Sequence, residues 1–259
     1  MAESRSSLPQ ALTDHAQTNE AHYLGVYWLA RRETAERCAQ RTEHLFQSLA
    51  GCDRNLSNWY IKGRTLEEAT EKRLEPHASA LQREFLQQEE REGRMRGEGF
   101  SLSLWNGAHP EGETGLSLLC GEASPWVTNS CLLNLPREGP TAERLLRAPA
   151  LSSILRAMVL AFEPEWGIAT AHEHLDLVTE STEVGTFAGW LTYFAHRRGV
   201  LPALPPSVQL EPVDALGTLV ILTSERFTAA NPTHVALARE VSERLTHAGL
   251  LSPLHPESS

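Results

Sequence analysis

The stretch FSLSLWNGAHPEGETGLSLLCGEASPWVTNSCLLNL, residues 100–135, decides the fold class of this chain. It holds three short apolar runs, at 100–105, 116–120 and 131–135, whose composition and alternation are typical of β-strands. The segments between them contain Gly, Pro and Asn, so they predict antiparallel hairpins. Strands that alternate strictly with helices would indicate a parallel sheet, and these consecutive strands do not. The stretch therefore predicts an α+β fold with a mainly antiparallel sheet and packed helices.

Helical periodicity flanks this stretch on both sides. Before it, residues 32–50 form an amphipathic pattern that stops at Gly51, and a second helix is predicted over 77–91. After it, residues 141–162 carry the clearest apolar stripe of the chain. Pro149 suits a first helical turn, so we expect two helices in that range instead of one.

The remaining segments complete the predicted element order. Asn231 can cap a last helix, and Pro232 suits its first turn. The acidic segment that ends at Gly185 is predicted to be irregular. Further strands are predicted at 21–28, 166–171, 189–194, 208–212 and 218–223.

Both halves of the chain end as strands followed by a helix, which suggests a duplication into two related halves. The predicted domains are an N-terminal α+β half over 21–163 and a C-terminal α+β half over 164–251. Residues 1–20 and 252–259 are predicted to be a disordered N-terminus and a disordered tail.

The charge of the chain argues against a direct nucleic-acid binder. Its formal net charge is −10, and its Lys and Arg residues are interspersed with acids. Phosphate neutralisation needs clustered cations, which this chain lacks. A partner held by long-range attraction would be basic, although solubility alone explains the same net charge.

The sequence also indicates the compartment. The first residues are polar and offer no apolar core for a signal peptide, and no run approaches the roughly 20 apolar residues of a membrane span. The four cysteines lie in separate segments without a close pair, which favours reduced thiols over a disulfide framework. We therefore expect a cytoplasmic protein with no membrane partner.

Chemical motifs are weak in this chain. His172 and His174, with Asp176 close behind, would project to one face of an extended segment and could share a divalent ion, which makes a metal-dependent hydrolase the alternative function. A third ligand cluster is missing, however, and a polar strand end is the preferred explanation of the pattern. Ser124 lacks the flanking glycines of a nucleophile elbow, and glycine-rich phosphate loops do not occur. The residues thus predict a binding protein without a cofactor or catalytic site.

Two features suggest contacts with a protein partner. Most of the six tryptophans are expected in the core, but Trp126, in a proline-containing loop, and Trp166, after Pro164, could instead be partly exposed anchors for a partner. Acidic residues cluster around the predicted strand at 166–171, where they can attract a basic protein and penalise wrong partners. They are Glu163, Glu165, Glu173, Asp176, Glu180 and Glu183.

Several segments resemble the bacterial immunity protein 52 family. The resemblance covers most of the chain, and the segments that carry it are spread from the first predicted strand to the last helix. They are Trp28 with the helix at 31–49, Asn58-Trp59-Tyr60 with Lys62-Gly63, 100–107, Cys120-Gly121, Ser124-Pro125-Trp126, Asn129-Ser130, 145–149, 163–167, 189–193, 216–218 and 227–229.

The resemblance implies an immunity protein made beside a polymorphic toxin delivered by type VI secretion. The toxin typically carries a restriction-endonuclease-like nuclease domain, and the immunity protein neutralises it by direct binding in the cytosol. An acidic inhibitor suits that target, because a nuclease must present a basic surface to DNA. Two mechanisms stay open: occlusion of the nuclease active site, or binding elsewhere that blocks assembly with a delivery component. Besides the immunity protein and the metal-dependent hydrolase, a third possible function is a scaffold that only dimerises and has no toxin partner.

Overall fold

The computed structural model of the chain describes residues 20–62, 72–93, 98–108, 110–179 and 186–254. These residues form an α+β fold, as predicted, with a nine-stranded sheet and packed helices. The strands are β1 (His22–Trp28), β2 (Tyr60–Ile61), β3 (Glu98–Trp105), β4 (Gly115–Glu122), β5 (Asn129–Asn134), β6 (Trp166–Ala171), β7 (Leu191–Ala195), β8 (Gln209–Val213) and β9 (Gly217–Ile221). The helices are α1 (Ala35–Cys52), α2 (Ala78–Glu92), α3 (Gly139–Leu145), α4 (Ala148–Phe162), α5 (His172–Thr179) and α6 (Pro232–His247).

The first strand lies at the centre of the sheet. The strand order is β2-β3-β4-β5-β1-β6-β7-β9-β8, and all neighbours are antiparallel. Val26 of β1 faces Cys131 of β5 on one side and Gly167 of β6 on the other. Almost every residue of β1 is buried, and only Tyr27 is partly exposed. Predicted strands and hairpins at 100–135 are confirmed.

Helices α1, α2 and α4 pack on one face of the sheet, which we call the first face. Phe85 of α2 packs against Phe100 with ring centroids 5.9 Å apart, and Phe162 of α4 stacks on Trp28 at 4.9 Å. Thr34 caps α1, because its hydroxyl accepts from the Arg37 N–H at 3.2 Å. The apolar stripes of these helices and the inward residues of the strands form the main core.

The predicted break between α3 and α4 is confirmed. Pro149 lies in the first turn of α4, and the two helices meet at a bend of 74°. Among the described residues, no single helix is long and apolar enough to cross a membrane, and this bent pair passes such a test only when its helices are combined. The stripe of α4 is buried against the sheet.

The opposite, second face of the sheet is covered at β6 and β7. His172 of α5 stacks on Tyr23 at 4.5 Å, and Phe187 packs against Trp166 at 5.9 Å. Phe227 connects α5 to α6, because its ring lies 4.9 Å from that of His174 on α5 and 5.3 Å from that of His234 on α6. Among the described residues, no helix lies on the second face of β3, β4 and β5.

One predicted element is wrong. The segment after β6 was expected to be irregular, but residues 172–179 form α5. The sequence HEHLDLVT has helical spacing, because His174 and Val178 lie one turn apart on the inner side. The remaining residues of that segment, 180–185, lie outside the described residues. Because residues 172–179 are helical and not extended, His172 and His174 point in other directions than the predicted metal site requires.

The predicted domain bounds and the duplication stay predictions. The sheet runs without interruption from β2 to β8. In the N-terminal half, β3, β4 and β5 are adjacent in chain order, whereas β9 lies between β7 and β8 in the C-terminal half. Glu20 is buried and accepts hydrogen bonds from the Thr228 hydroxyl and the Ala230 N–H. The chain is therefore anchored from its first described residue.

Candidate partner-binding surface

The β4–β5 hairpin presents a tryptophan to solvent in its turn. Trp126 is 69% exposed, its neighbour Val127 is 39% exposed, and Leu29, which follows β1, is 38% exposed. Trp28 pairs with Asn129 across β1 and β5, so Leu29 lies beside the hairpin. We call these three apolar side chains the Trp126 apex. An exposed tryptophan within an apolar group is typical of an anchor in a protein interface.

Hydrogen bonds hold the turn below Trp126 in one conformation. The Glu122 carboxylate accepts from the Ser124 N–H at 2.7 Å, and the Ser124 hydroxyl accepts from the Trp126 N–H at 3.3 Å. The side chain of Asn129 closes the base, since it accepts from the Glu122 N–H at 2.9 Å and donates to the carbonyls of Leu29 and Glu122 at 3.1 Å. A partner would meet a turn that is already ordered, which reduces the entropic cost of binding.

Glu163 and Glu165 lie at the same end of the sheet as the Trp126 apex. The Glu165 N–H donates to the Tyr27 carbonyl at 2.9 Å, one residue from the end of β1. Arg41 donates to Glu163 at 3.0 Å, and Arg197 donates to Glu165 at 2.7 Å. The hydrogen bond from Arg41 holds the pKa of Glu163 below its ordinary value. Both carboxylates are thus compensated by arginines of the same chain and offer less attraction to a basic partner than expected.

The expected exposure of Trp166 is wrong. Its side chain is only 5% exposed, and its ring stacks on Tyr27 at 5.2 Å and packs against Phe187. Trp166 points to the second face of the sheet, where the segment through Phe187 covers it. Trp166 therefore contributes to packing beside the predicted surface. A direct contact between Trp166 and a partner would require the segment through Phe187 to move.

The other predicted acidic contacts lie at the opposite end of the sheet. The first residue of β1 pairs with the last residue of β6, and α5 begins directly after it. Glu173 accepts from the Ala21 N–H at 3.1 Å, while Asp176 is exposed on α5. Glu180 and Glu183 lie outside the described residues. The predicted contacts are therefore divided between two ends of the sheet and do not form one cluster.

The proposed metal pair does not converge. Because His172 and His174 lie on a helix and not on a strand, they do not project to one face. His172 stacks on Tyr23, whereas His174 is buried with its Nε2 atom 3.1 Å from the Ala188 carbonyl oxygen. Burial lowers the pKa of His174. Within the part of the chain that the structure describes, no group of three or more metal-binding side chains occurs, and the hydrolase alternative gains no support.

The companions of Trp126 were not predicted from the sequence. Leu29 and Val127 were not singled out, although each is an aliphatic residue next to a predicted strand end. Only the pairing of β1 with β5 brings them to the same place.

Comparisons with known proteins agree with this architecture. The sequence model of the immunity protein 52 family matches residues 20–254. A solved structure with a similar fold is the Pseudomonas aeruginosa T6SS protein PA0821, at a TM-score of 0.55 and 14% sequence identity, covering 92% of this chain and 76% of that one. No curated protein matches the chain in sequence.

Proposed function

Because this chain belongs to the immunity protein 52 family, we propose that it neutralises a cognate secreted nuclease toxin by binding it directly in the bacterial cytoplasm. Family membership supports an immunity function, which implies binding a cognate toxin protein. The nuclease activity of the toxin, its delivery by type VI secretion and the cytoplasmic location are the proposed details. The T6SS name of the structural neighbour supports the delivery route.

Two properties of the chain support a nuclease as its target and the cytoplasm as its location. A net charge of −10 favours encounter with a basic nuclease surface and disfavours competition for DNA. All four cysteines are free thiols, and burial raises the pKa of Cys120 and Cys131. Free thiols suit a reducing compartment such as the cytoplasm.

The observation that carries the binding role is the Trp126 apex. Its exposed indole sits on a turn that Glu122, Ser124 and Asn129 hold in place through their hydrogen bonds. Exposure of a large aromatic side chain to water costs free energy in an isolated protein. A partner that buries this side chain at a hot spot gains about 2 kcal/mol or more of binding free energy. The apex therefore has the properties of a preformed contact.

Co-expression tests the proposal. The toxin encoded beside this chain is produced in cells with or without it, and survival and DNA integrity are followed. We expect intact DNA and survival only when the chain is present, and a stable complex of the two purified proteins. Equal killing in both cultures, or no complex with a catalytically inactive form of the toxin, would reject the proposal.

Cleavage by the purified complex separates the two mechanisms. If the chain occludes the active site, the isolated nuclease domain loses cleavage in proportion to the chain added. If the chain blocks assembly with a delivery component, cleavage by the bound nuclease domain continues. We expect loss of cleavage, because the acidic exterior suits the basic surface around a nuclease active site.

A further inference from the structure

The second face of β3, β4, β5 and β1 forms a continuous surface. Each side chain on this face has a partner directly across from it on the next strand, so the positions form three rows. The first row is Ser101, Leu119, Ser130 and Tyr27; the second is Ser103, Ser117, Leu132 and Gly25; the third is Trp105, Gly115, Asn134 and Tyr23. We call this surface the trough.

No position in the trough carries a charged residue, although 22% of the chain is charged. The solvent-facing side of an antiparallel sheet is normally polar. Here Leu119 and Leu132 are half-buried and Ser103 and Asn134 are exposed, while Trp105, Gly25 and Tyr23 at the edges are buried. Depletion of charge together with aromatic and aliphatic side chains is the composition of the core of a protein interface. The trough therefore resembles a surface that another protein covers.

Small residues line the middle of the trough, which we call its floor, and aromatic residues lie at its edges. Gly115, Ser117 and Ser130 provide small side chains on β4 and β5, and Trp105 on β3 borders them on one side. Tyr27 borders them on the other, and its ring lies over Gly25 so closely that a Cβ on that glycine would be 2.7 Å from the hydroxyl. From β3 to β1 there are three strand spacings, about 14 Å. A helix with its side chains is about 10–12 Å across, so one helix covers most of the width from β3 to β1.

A positive charge reaches over the floor from β2. The Lys62 N–H donates to the Ser103 carbonyl at 3.1 Å, and its ammonium nitrogen lies 3.7 Å from where a Cβ on Gly115 would stand. At the β1 edge, His172 stacks on Tyr23 with ring centroids 4.5 Å apart. The trough is thus uncharged except for a cation at one end, in a protein of net charge −10. A partner segment with a carboxylate at that end would complement it.

The other end of the trough leads to the Trp126 apex. Side chains alternate along a strand, so Leu29 continues the line of Tyr27 on β1, and Thr128 continues the line of Ser130 on β5. Trp126 lies two residues beyond Thr128. The apex and the trough are therefore one surface, with an exposed anchor at one end and Lys62 at the other.

We propose that the trough receives one helix of the toxin, lying along β4 and β5, with small and apolar side chains toward the floor and a carboxylate beside Lys62. This inference rests on the proposed function and adds to it the contact surface and the kind of element that fills it. Helix and sheet then bury the apolar floor residues Leu119 and Leu132 together with Trp126.

Arginine substitutions in the floor test the proposal. Ser117→Arg and Ser130→Arg place a large cation where the helix would lie, and affinity for the catalytically inactive toxin should fall about 100-fold or more, since a buried unpaired charge is strongly unfavourable. Ser207→Arg, at an exposed position before β8, is the matched control and should leave affinity unchanged. Ser117→Thr should bind normally, and thermal unfolding checks that all variants fold.

Charge reversal at the end of the trough is the second test. Lys62→Glu should lower affinity about tenfold, whereas Lys72→Glu, at an exposed position on the adjoining segment, should have little effect.

If the folded Ser117→Arg and Ser130→Arg variants bind the toxin with wild-type affinity, the inference is overturned and the proposed function stays intact. Failure of the wild-type chain to bind the toxin would reject the proposed function itself. A wild-type dimer that Ser117→Arg dissociates would also overturn the inference, because the occupant would then be a second copy.

Discussion

The guanidinium of Arg41 donates a hydrogen bond of 3.0 Å to the carboxylate of Glu163, although the two residues are 122 positions apart in the chain. The same side chain donates to Glu33 at 2.8 Å and to the Ala161 carbonyl at 2.8 Å. Arg41 therefore joins α1 to the C-terminal end of α4. Because the Arg41 side chain is mostly buried, its hydrogen bonds to Glu33 and to the Ala161 carbonyl are shielded from water and contribute to stability, whereas the Glu163 side chain is 45% exposed.

Replacement of Arg41 should destabilise the fold in a pH-dependent way. We expect Arg41→Met to lower the free energy of unfolding by about 2–4 kcal/mol at neutral pH, since it leaves buried acceptors without a donor. The folded-state pKa of Glu163 is lowered, so its contribution is complete above the ordinary value of 4.5 and is lost as the pH falls below it. The difference between wild type and variant should shrink on acidification. Urea unfolding at several pH values measures it, and Arg83→Met on α2 serves as the surface control.

Trp126 should contribute to binding and not to stability. Trp126→Ala should weaken the toxin complex by about 2 kcal/mol or more, roughly 30-fold, while the unfolding midpoint of the free chain stays within error. Leu210→Ala on the edge strand β8, where the side chain is 49% exposed, is the control for loss of an exposed apolar group. Titration calorimetry reports the affinity. Equal affinity of both variants would remove Trp126 from the interface.

Gly217 should tolerate no side chain. A methyl group on Gly217 would lie 2.2 Å from the Phe194 carbonyl oxygen and 2.6 Å from the Tyr193 ring, so Gly217→Ala forces β7 and β9 apart. We expect a loss of about 3 kcal/mol or more, or failure to fold. Gly51→Ala on α1 is the matched control, because nothing lies within 4 Å of the added methyl group. That variant should gain about 0.5–1 kcal/mol, as helical Ala is favoured over Gly.

The acidic face of α5 remains a predicted contact and can be examined at one position. Glu173 accepts from the backbone of Ala21, so its replacement would also disturb the fold, whereas Asp176 is exposed. If α5 attracts a basic toxin surface, Asp176→Lys should slow association several-fold at low salt and less at high salt. Stopped-flow kinetics measures this. An unchanged association rate at low salt would remove α5 from the contact surface.

The fold was predictable where a short stretch of sequence contains its own signal. The alternation in 100–135 predicted β3, β4 and β5, and Pro149 predicted the break before α4. Helix α5 was missed because it follows β6 without a loop, and its polar start is equally compatible with a strand end. Eight residues contain too few helical turns for the pattern to distinguish a helix from a polar strand end.

The candidate site was predicted only in part, because its pieces are distant in sequence. Trp126 was identified from its loop, but the trough consists of every second residue on four strands, and register alone brings Ser103, Ser117 and Leu132 into one row. The compensation of Glu163 by Arg41 likewise depends on a contact between distant segments. Local composition therefore overestimated the acidic character of this end of the molecule.

The central place of β1 determines how the polypeptide can be assembled on the ribosome. This strand precedes both of its neighbours in the chain, so one of its edges waits for β5 and the other for β6, whose residues are translated later. Until then a strand with almost no polar side chains has no native partner and must be shielded by collapse or by chaperones. Protection of the cell would therefore lag behind translation of β1, since a nascent chain that has not reached Ala171 cannot yet pair both edges of this strand.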